Sequence, residues 1–321
     1  MSEYDVVVVG GGAAGLSAAL VLTRARRHVA VVDAGQPRNA PAAHMQGFLG
    51  SDGLPPSELL AAGRSEVAGY GGDLLSGTVA SITRCAQAGA HARVWFDVVL
   101  EDGSALRTRR VLITTGLRDE IPDIPGVRER WGRDLLHCPY CHGFEVRDQP
   151  LGVLSGTPDE LNQAIAHAHL IRQWSSDVVF FSNGATLTTD QLEEFVARAI
   201  GVVDEAVARL VVEEDQLSGV ELDSGHVVPR AAVFVRPRFV PNDDLLVLLG
   251  CATQDIGWVA ADATGRTSVP GVWAAGNAVN PRAQVITAAG EGSAAAIAIN
   301  NDLVDEDLPI AVASHRLGLP V

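Results

Sequence analysis

The stretch "VVVVGGGAAGL", residues 6–16, decides the fold. Four consecutive valines read as a buried strand. Gly10-Gly11-Gly12-Ala13-Ala14-Gly15 satisfies the G-x-G-x-x-G spacing directly after it, and an apolar helical pattern follows at once. The glycines let backbone approach a pyrophosphate, while the helix N-terminus supplies N–H donors and the positive end of its dipole. The next apolar run, "HVAVVDAG" at residues 28–35, contains Asp33, an acceptor for ribose hydroxyls. Together the three segments predict a βαβ dinucleotide-binding unit.

Outward from this unit, residues 36–56 ("QPRNAPAAHMQGFLGSDGLPP") carry too much Pro, Gly and Asn for regular structure and read as a long functional loop. Helical spacing returns at residues 57–71. Residues 78–115 predict an antiparallel excursion with an Asp102-Gly103 turn, then a buried strand running into Thr115-Gly116. After a linker at residues 117–126, a second βαβ pattern begins at Leu151: "LGVLSG", then "TPDELNQAIAHAHLIRQW", then "DVVFFSNG". Short strands around Gly225 and a second linker, "RPRFVPN" at residues 236–242, precede a closing strand, loop and long helix over residues 271–301. That helix is apolar enough to be buried, although glycines and Glu291 interrupt its pattern. The fold class expected is α/β, with two nucleotide-binding, Rossmann-like domains.

Composition narrows the function. At 321 residues with 47% hydrophobic and 5% aromatic content, the chain is long enough for two cores. A net charge of -15 repels phosphate backbones and anionic membrane surfaces, so neither nucleic acid nor membrane is an expected partner. No basic segment precedes the first apolar run, which points to the cytoplasm. The chain has four cysteines; Cys85 and Cys251 stand alone and read as small hydrophobes. Cys138 and Cys141 form a C-x-x-C in "LLHCPYCHGFEVRDQ", residues 135–149. Zinc is disfavoured, because neighbouring His137, Cys138, Cys141 and His142 cannot all converge on one tetrahedral ion and no second C-x-x-C exists. A redox dithiol at the start of a helix, where the dipole favours the thiolate and Pro139 suits the first turn, fits better.

Four features carry a resemblance: the first βαβ unit, Thr115-Gly116 at a strand end, the C-x-x-C, and "GRTSVPGVWAAGNAV" (265–279) followed by Arg282-Ala283-Gln284. Over nearly the whole chain the sequence resembles the thioredoxin reductase group of flavoproteins. The resemblance implies FAD bound by a domain made of residues 1–118 and 237–321, with residues 119–236 inserted as a pyridine-nucleotide-like domain bearing the C-x-x-C. It places Gly10, Gly12, Ala13, Gly15, Asp33, Ala34, Arg38, Asn39, Thr115, Gly116, Gly276, Asn277, Gln284 and Val285 at the flavin. Asn277 stands where the group usually has Asp.

The second nucleotide turn departs further. Thr157-Pro158-Asp159-Glu160 puts a proline and two carboxylates where a pyrophosphate needs open backbone, and Ser182-Asn183-Gly184 replaces the arginines that the group offers to an adenosine 2′-phosphate. The residue after the pair is His142 where reductases carry Asp, and an imidazole can take a proton from a substrate thiol. "CPYCHGFE" and "DAGQPRNAPA" are more similar to flavin-dependent dithiol oxidases that close disulfides in natural products such as gliotoxin and holomycin. That resemblance implies a homodimer in which a small-molecule dithiol is oxidised through Cys138, Cys141 and His142, and O2 is reduced to H2O2. Cys138 would meet substrate and Cys141 the flavin. The alternatives are a thioredoxin-disulfide reductase fed by NADPH or another donor, and a flavin-bound sensor with a regulatory C-x-x-C. Of the other histidines, only His44 sits in the long loop expected near the flavin.

Overall fold

The computed structural model describes residues 2–85, 93–156 and 160–317. It divides into two compact units: Met1–Arg38, Ser57–Arg118 and Pro241–Val321 form one, and Asn39–Pro56 with Asp119–Val240 form the other. The long loop at 39–56 therefore groups with the inserted unit, which its composition did not foretell.

The first unit begins with β1 (Ser2–Val9), α1 (Ala13–Arg24) and β2 (Val29–Asp33). It continues through α2 (Pro56–Gly69), β3 (Asp73–Ser76), β4 (Val79–Cys85), β5 (Trp95–Leu100) and β6 (Ala105–Ile113). The strands lie in the order β3-β2-β1-β6-β5-β4. β1 is parallel to both neighbours, with Val6 opposite Val29 and Arg110, and it is covered on both faces, Val7 and Val9 in one buried cluster and Val6 and Val8 in another. That explains the unbroken valine run, because a doubly covered parallel strand has no polar face to alternate with. β4, β5 and β6 are antiparallel, as the Asp102-Gly103 turn predicts.

β6 also explains why the unit is discontinuous in sequence. Its first half pairs with β5, Thr108 opposite Phe96; its second half pairs with the late strand Val272–Ala274, Val111 opposite Val272 and Ile113 opposite Ala274. The helix that follows, Val285–Arg316, is unbroken. Its Ala295, Ala296, Ile299 and Leu303 share one buried cluster with Val6, Val8, Ala18, Ala19 and Leu22. Burial of each large aliphatic side chain contributes roughly 1.5–3 kcal/mol. The glycines that seemed to interrupt this helix include Gly292, where a Cβ would run into the carbonyl oxygen of Ala14. The far half of the helix is tied to the sheet by buried arginines: Arg109 binds Glu306 and Asp307, and Arg110 binds Asp302.

In the second unit, five parallel strands run in the order Gly201–Val203, Val178–Phe181, Leu151–Leu154, Ala232–Val235, Leu135–Leu136. The helix Leu161–Ile171 covers this sheet through Ala164, Ile165, Ala168 and Ile171, which pack with Phe180, Phe195 and Phe234. A three-stranded antiparallel sheet spans Val207–Pro229, turning at Gly225 with φ 83°. The segments expected to be loose linkers are instead strands, Leu117–Glu120 and Arg238–Pro241, paired with each other. The edge strand Leu135–Leu136 delivers the chain to Cys138 at the carboxyl edge of the parallel sheet, the edge at which open α/β sheets place their ligands.

Candidate active site

The glycines of the first turn divide by what surrounds them. A Cβ on Gly10 (φ 106°) would lie 2.5 Å from the Thr114 carbonyl oxygen, one on Gly11 2.7 Å from the Asp33 carboxyl carbon, and one on Gly15 against the Gly10 carbonyl oxygen. These three permit protein to approach protein. Gly12 differs, since nothing lies within 4 Å of the position its Cβ would take. It is the N-cap of α1 and gives no side-chain cap, so the first N–H groups of that helix point out of an open turn. Asp33 accepts a bond from the Gly11 N–H at 3.0 Å, which fixes its carboxylate beside the turn.

A second uncapped helix start lies close by. Gln284 is the N-cap of the Val285–Arg316 helix, again without a side-chain bond. Gly276 (φ 68°) sits between the two starts: a Cβ there would be 3.0 Å from the Ala14 Cβ and 3.5 Å from that of Ala288. Its N–H donates to Glu291 Oε2 at 2.9 Å, and Asn280 Nδ2 donates to Glu291 Oε1 at 2.6 Å. Asn277 donates through Nδ2 to the carbonyls of Asn280 and Ala283 at 2.9 and 3.0 Å, and accepts from Arg38 Nη1 at 3.4 Å. An open glycine turn flanked by two uncapped helix N-termini fits a pyrophosphate-bearing cofactor.

Other expected flavin residues are held by partners that sequence reading missed. Thr115 Oγ1 donates to the Asn242 carbonyl at 2.5 Å, while Asn242 returns bonds to the Gly116 and Thr115 carbonyls at 3.0 Å each. Thr114 Oγ1 donates to the carbonyls of Val9 and Gly10 at 3.0 and 2.8 Å, bracing the first turn. Ala34 is exposed beyond Asp33, and Val285 opens the final helix. Asn39 falls in the segment that groups with the inserted unit, whereas Arg38 belongs to the first. His44, in that same segment, faces the Gly53 carbonyl through Nδ1 at 3.0 Å and is exposed, which gives it a local structural contact.

In the inserted unit Cys138 and Cys141 are joined as a disulfide with Cα atoms 5.2 Å apart. Cys138 is the N-cap and Pro139 the first residue of a helix only four residues long, Pro139–His142, so the dipole available to the pair is that of a single turn. The N–H groups of Cys141 and His142 both donate to the Cys138 carbonyl at 3.1 Å. Gly143 is required behind them, because a Cβ there would meet the Pro139 carbonyl at 2.5 Å and the Trp174 ring nitrogen at 2.8 Å. His142 is half-buried, and its Nδ1 is enclosed without a hydrogen-bond partner. Burial holds its pKa below the ordinary value, against the opposing pull of Glu145, so the ring is neutral near pH 7.

The two remaining cysteines are unsuited to this chemistry: burial pushes both thiols up, with Asp97 adding to the effect at Cys85. Among the described residues no group of three or more His, Cys, Asp or Glu side chains could hold a metal ion, and no helix is long and apolar enough to cross a membrane. Thr157, Pro158 and Asp159 of the second turn lie outside the described residues. Glu160 Oε2 lies 3.5 Å, and Pro122 Cγ 3.2 Å, from the position a Cβ on Gly156 would take. Asn183 (φ 53°) occupies the next strand end, donating to the Ser155 carbonyl at 3.5 Å and accepting from the Val207 N–H at 2.9 Å.

The family model for pyridine nucleotide-disulphide oxidoreductases matches residues 4–292. The chain belongs to that family. Within this oxidoreductase family it has the thioredoxin reductase-like fold, and its cofactor is FAD. The crystal structure of HlmI is 58% identical with a TM-score of 0.93, covering 98% of this chain and 96% of that one. Thioredoxin reductase sirT of Leptosphaeria maculans is 31% identical over 320 residues, 96% of each chain. Thioredoxin reductase tcpT of Claviceps purpurea is 31% identical over 292 residues, 85% of this chain and 86% of that one.

Proposed function

We propose that this oxidoreductase is an FAD-dependent dithiol oxidase that closes an intramolecular disulfide in a small-molecule natural product, with the net reaction R(SH)2 + O2 → R(S–S) + H2O2. The observation that carries the reading is the neutral, half-buried imidazole of His142 directly after the redox pair. A substrate thiol gives its proton to His142 and attacks the Cys138 sulfur; the Cys138–Cys141 bond breaks and Cys141 leaves as thiolate. The second substrate thiol, giving its proton to solvent, then attacks its partner sulfur in the mixed disulfide, which releases the cyclic product and the Cys138 thiolate. Two electrons now reside on the cysteine pair. FAD supplies the acceptor for those electrons and the means of passing them to O2.

The natural-product resemblance of "CPYCHGFE" supports a small-molecule substrate. Under this reading the enzyme works in the cytoplasm as a homodimer. The purified protein should consume O2 with dithiothreitol and yield one H2O2 per disulfide closed. Dithiol oxidation without peroxide would contradict the reading. A second reading, reduction of a protein disulfide with NADPH, is favoured by the parallel sheet of the inserted unit and by the names of sirT and tcpT. Anaerobic mixing with NADPH separates the two.

A further inference from the structure

Asn277 makes three hydrogen bonds whose directions are fixed by its partners. The carbonyls of Asn280 and Ala283, at 2.9 and 3.0 Å, can only accept. The Arg38 guanidinium, at 3.4 Å, can only donate. The amide orientation is therefore dictated: both Nδ2 protons go to carbonyls and Oδ1 faces Arg38. A carboxylate in the same place would satisfy Arg38 alone and would set its other oxygen against two carbonyl oxygens.

The turn held in this way matters because of what it joins. It runs from Gly276, wedged between Ala14 and Ala288, to Gln284, the N-cap of the final helix. Glu291 holds the same turn with reversed logic: its two oxygens face two donors, the Gly276 N–H and Asn280 Nδ2. Asn280 is shared by both clamps, and its own Oδ1 accepts from the Arg282 N–H at 3.0 Å. An acid at 291 and an amide at 277 are thus each matched to the groups they meet.

We propose that Asn277 is a positioning residue of the flavin site, one that locks the 280–284 turn beneath the second helix N-terminus, and that an aspartate at this position would weaken cofactor retention. Asn277 acts through the turn, since both of its donors are already engaged by protein. This inference rests on the flavin assignment and is independent of which reaction the enzyme performs.

The test compares holoenzyme carrying Asn277→Asp and Asn277→Ser with wild type. FAD release on heating is followed by flavin fluorescence, and the FAD dissociation constant is measured by titrating deflavinated protein. Asn277→Asp should weaken FAD by about tenfold or more, the scale of losing two hydrogen bonds and leaving carbonyls unpaired. Asn277→Ser, which loses the bonds without adding charge, should lie between it and wild type. Acidification should recover Asn277→Asp in part and leave Asn277→Ser unchanged, because a protonated carboxyl regains one donor. If Asn277→Asp does not fold, hydrogen exchange of the amides of residues 280–288 in Asn277→Ser carries the same question, with faster exchange expected. FAD bound by Asn277→Asp as tightly as by wild type, or an Asn277→Ser protein unchanged in both affinity and exchange, overturns the proposal. Protein that takes up no FAD in any form would instead remove the flavin assignment itself.

Discussion

Two βαβ units of this molecule differ in the atoms placed at the ends of their first strands. Between β1 and α1, protein withdraws from Gly12 and the helix start is left open. After Leu151–Leu154, the Glu160 carboxylate comes within 3.5 Å of the Cβ position of Gly156, and Asn183 at the neighbouring strand end bonds Ser155 and Val207. Strands of both units lie in buried clusters, Val6, Val8, Val29 and Val31 in the first and Leu151, Val153, Val178 and Phe180 in the second. The difference teaches that two βαβ units can both bury their strands while differing in the side chains placed at the strand ends. On this account the first unit holds the cofactor and the second carries the exchangeable disulfide.

The comparison breaks if equal insults to the two turns have equal effects. Gly12→Leu should abolish FAD retention by filling the open turn, giving colourless protein on absorbance spectroscopy, whereas Gly156→Leu should retain the flavin of the first unit. The reverse separation is expected for the second unit. Cys138→Ser and Cys141→Ser should both keep full flavin content and lose dithiol turnover. In Cys141→Ser the lone Cys138 thiolate can attack the closed disulfide product, releasing one of its sulfurs as thiolate and holding the other as a mixed disulfide visible by mass spectrometry, and Cys138→Ser does not.

A smaller loss is expected at His142. His142→Ala should slow reduction by dithiol about 10²-fold, the lower end for loss of a general base. Because burial depresses the His142 pKa, the neutral base persists as pH falls through the usual histidine range, and the acid limb of the rate profile should lie below it. In His142→Ala that limb should vanish from stopped-flow profiles.

The smallest effect concerns stability of the inserted unit. Burial, then the charge of Arg236, lowers the His167 pKa from 6.5 to about 4. As pH falls through 6.5 the unfolded chain takes up a proton that the folded one refuses, so stability present above pH 6.5 declines towards pH 4, by about 3 kcal/mol at most. Urea unfolding at several pH values should show the decline in wild type and a flatter curve in His167→Gln.

Much of this architecture is legible from local sequence. The glycine turn, Asp33 and the second βαβ pattern fix both sheets because strand periodicity and turn chemistry act over a few residues. The redox turn is equally local, with Pro139 and the following residues setting its geometry. What escapes reading is long-range pairing. Asn242 meets Thr115 and Gly116, Arg109 meets Glu306, and β6 pairs with both β1 and Val272–Ala274, which come from opposite ends of the chain. Glu291 did leave a sign, a lone carboxylate in an apolar helix. Its role as acceptor for Gly276 and Asn280 arises only when the helix folds back against that turn, which helical periodicity does not encode. The grouping of residues 39–56 with the inserted unit left no sign in composition, because it depends on contacts with residues far along the chain.

The most direct measurement is anaerobic stopped-flow mixing of the FAD-loaded enzyme with dithiothreitol in one experiment and NADPH in another, following the flavin's visible absorbance. The account predicts that the dithiol bleaches the flavin at a rate able to support turnover and that NADPH does not. Rapid bleaching by NADPH, with the dithiol slower or inert, would contradict it.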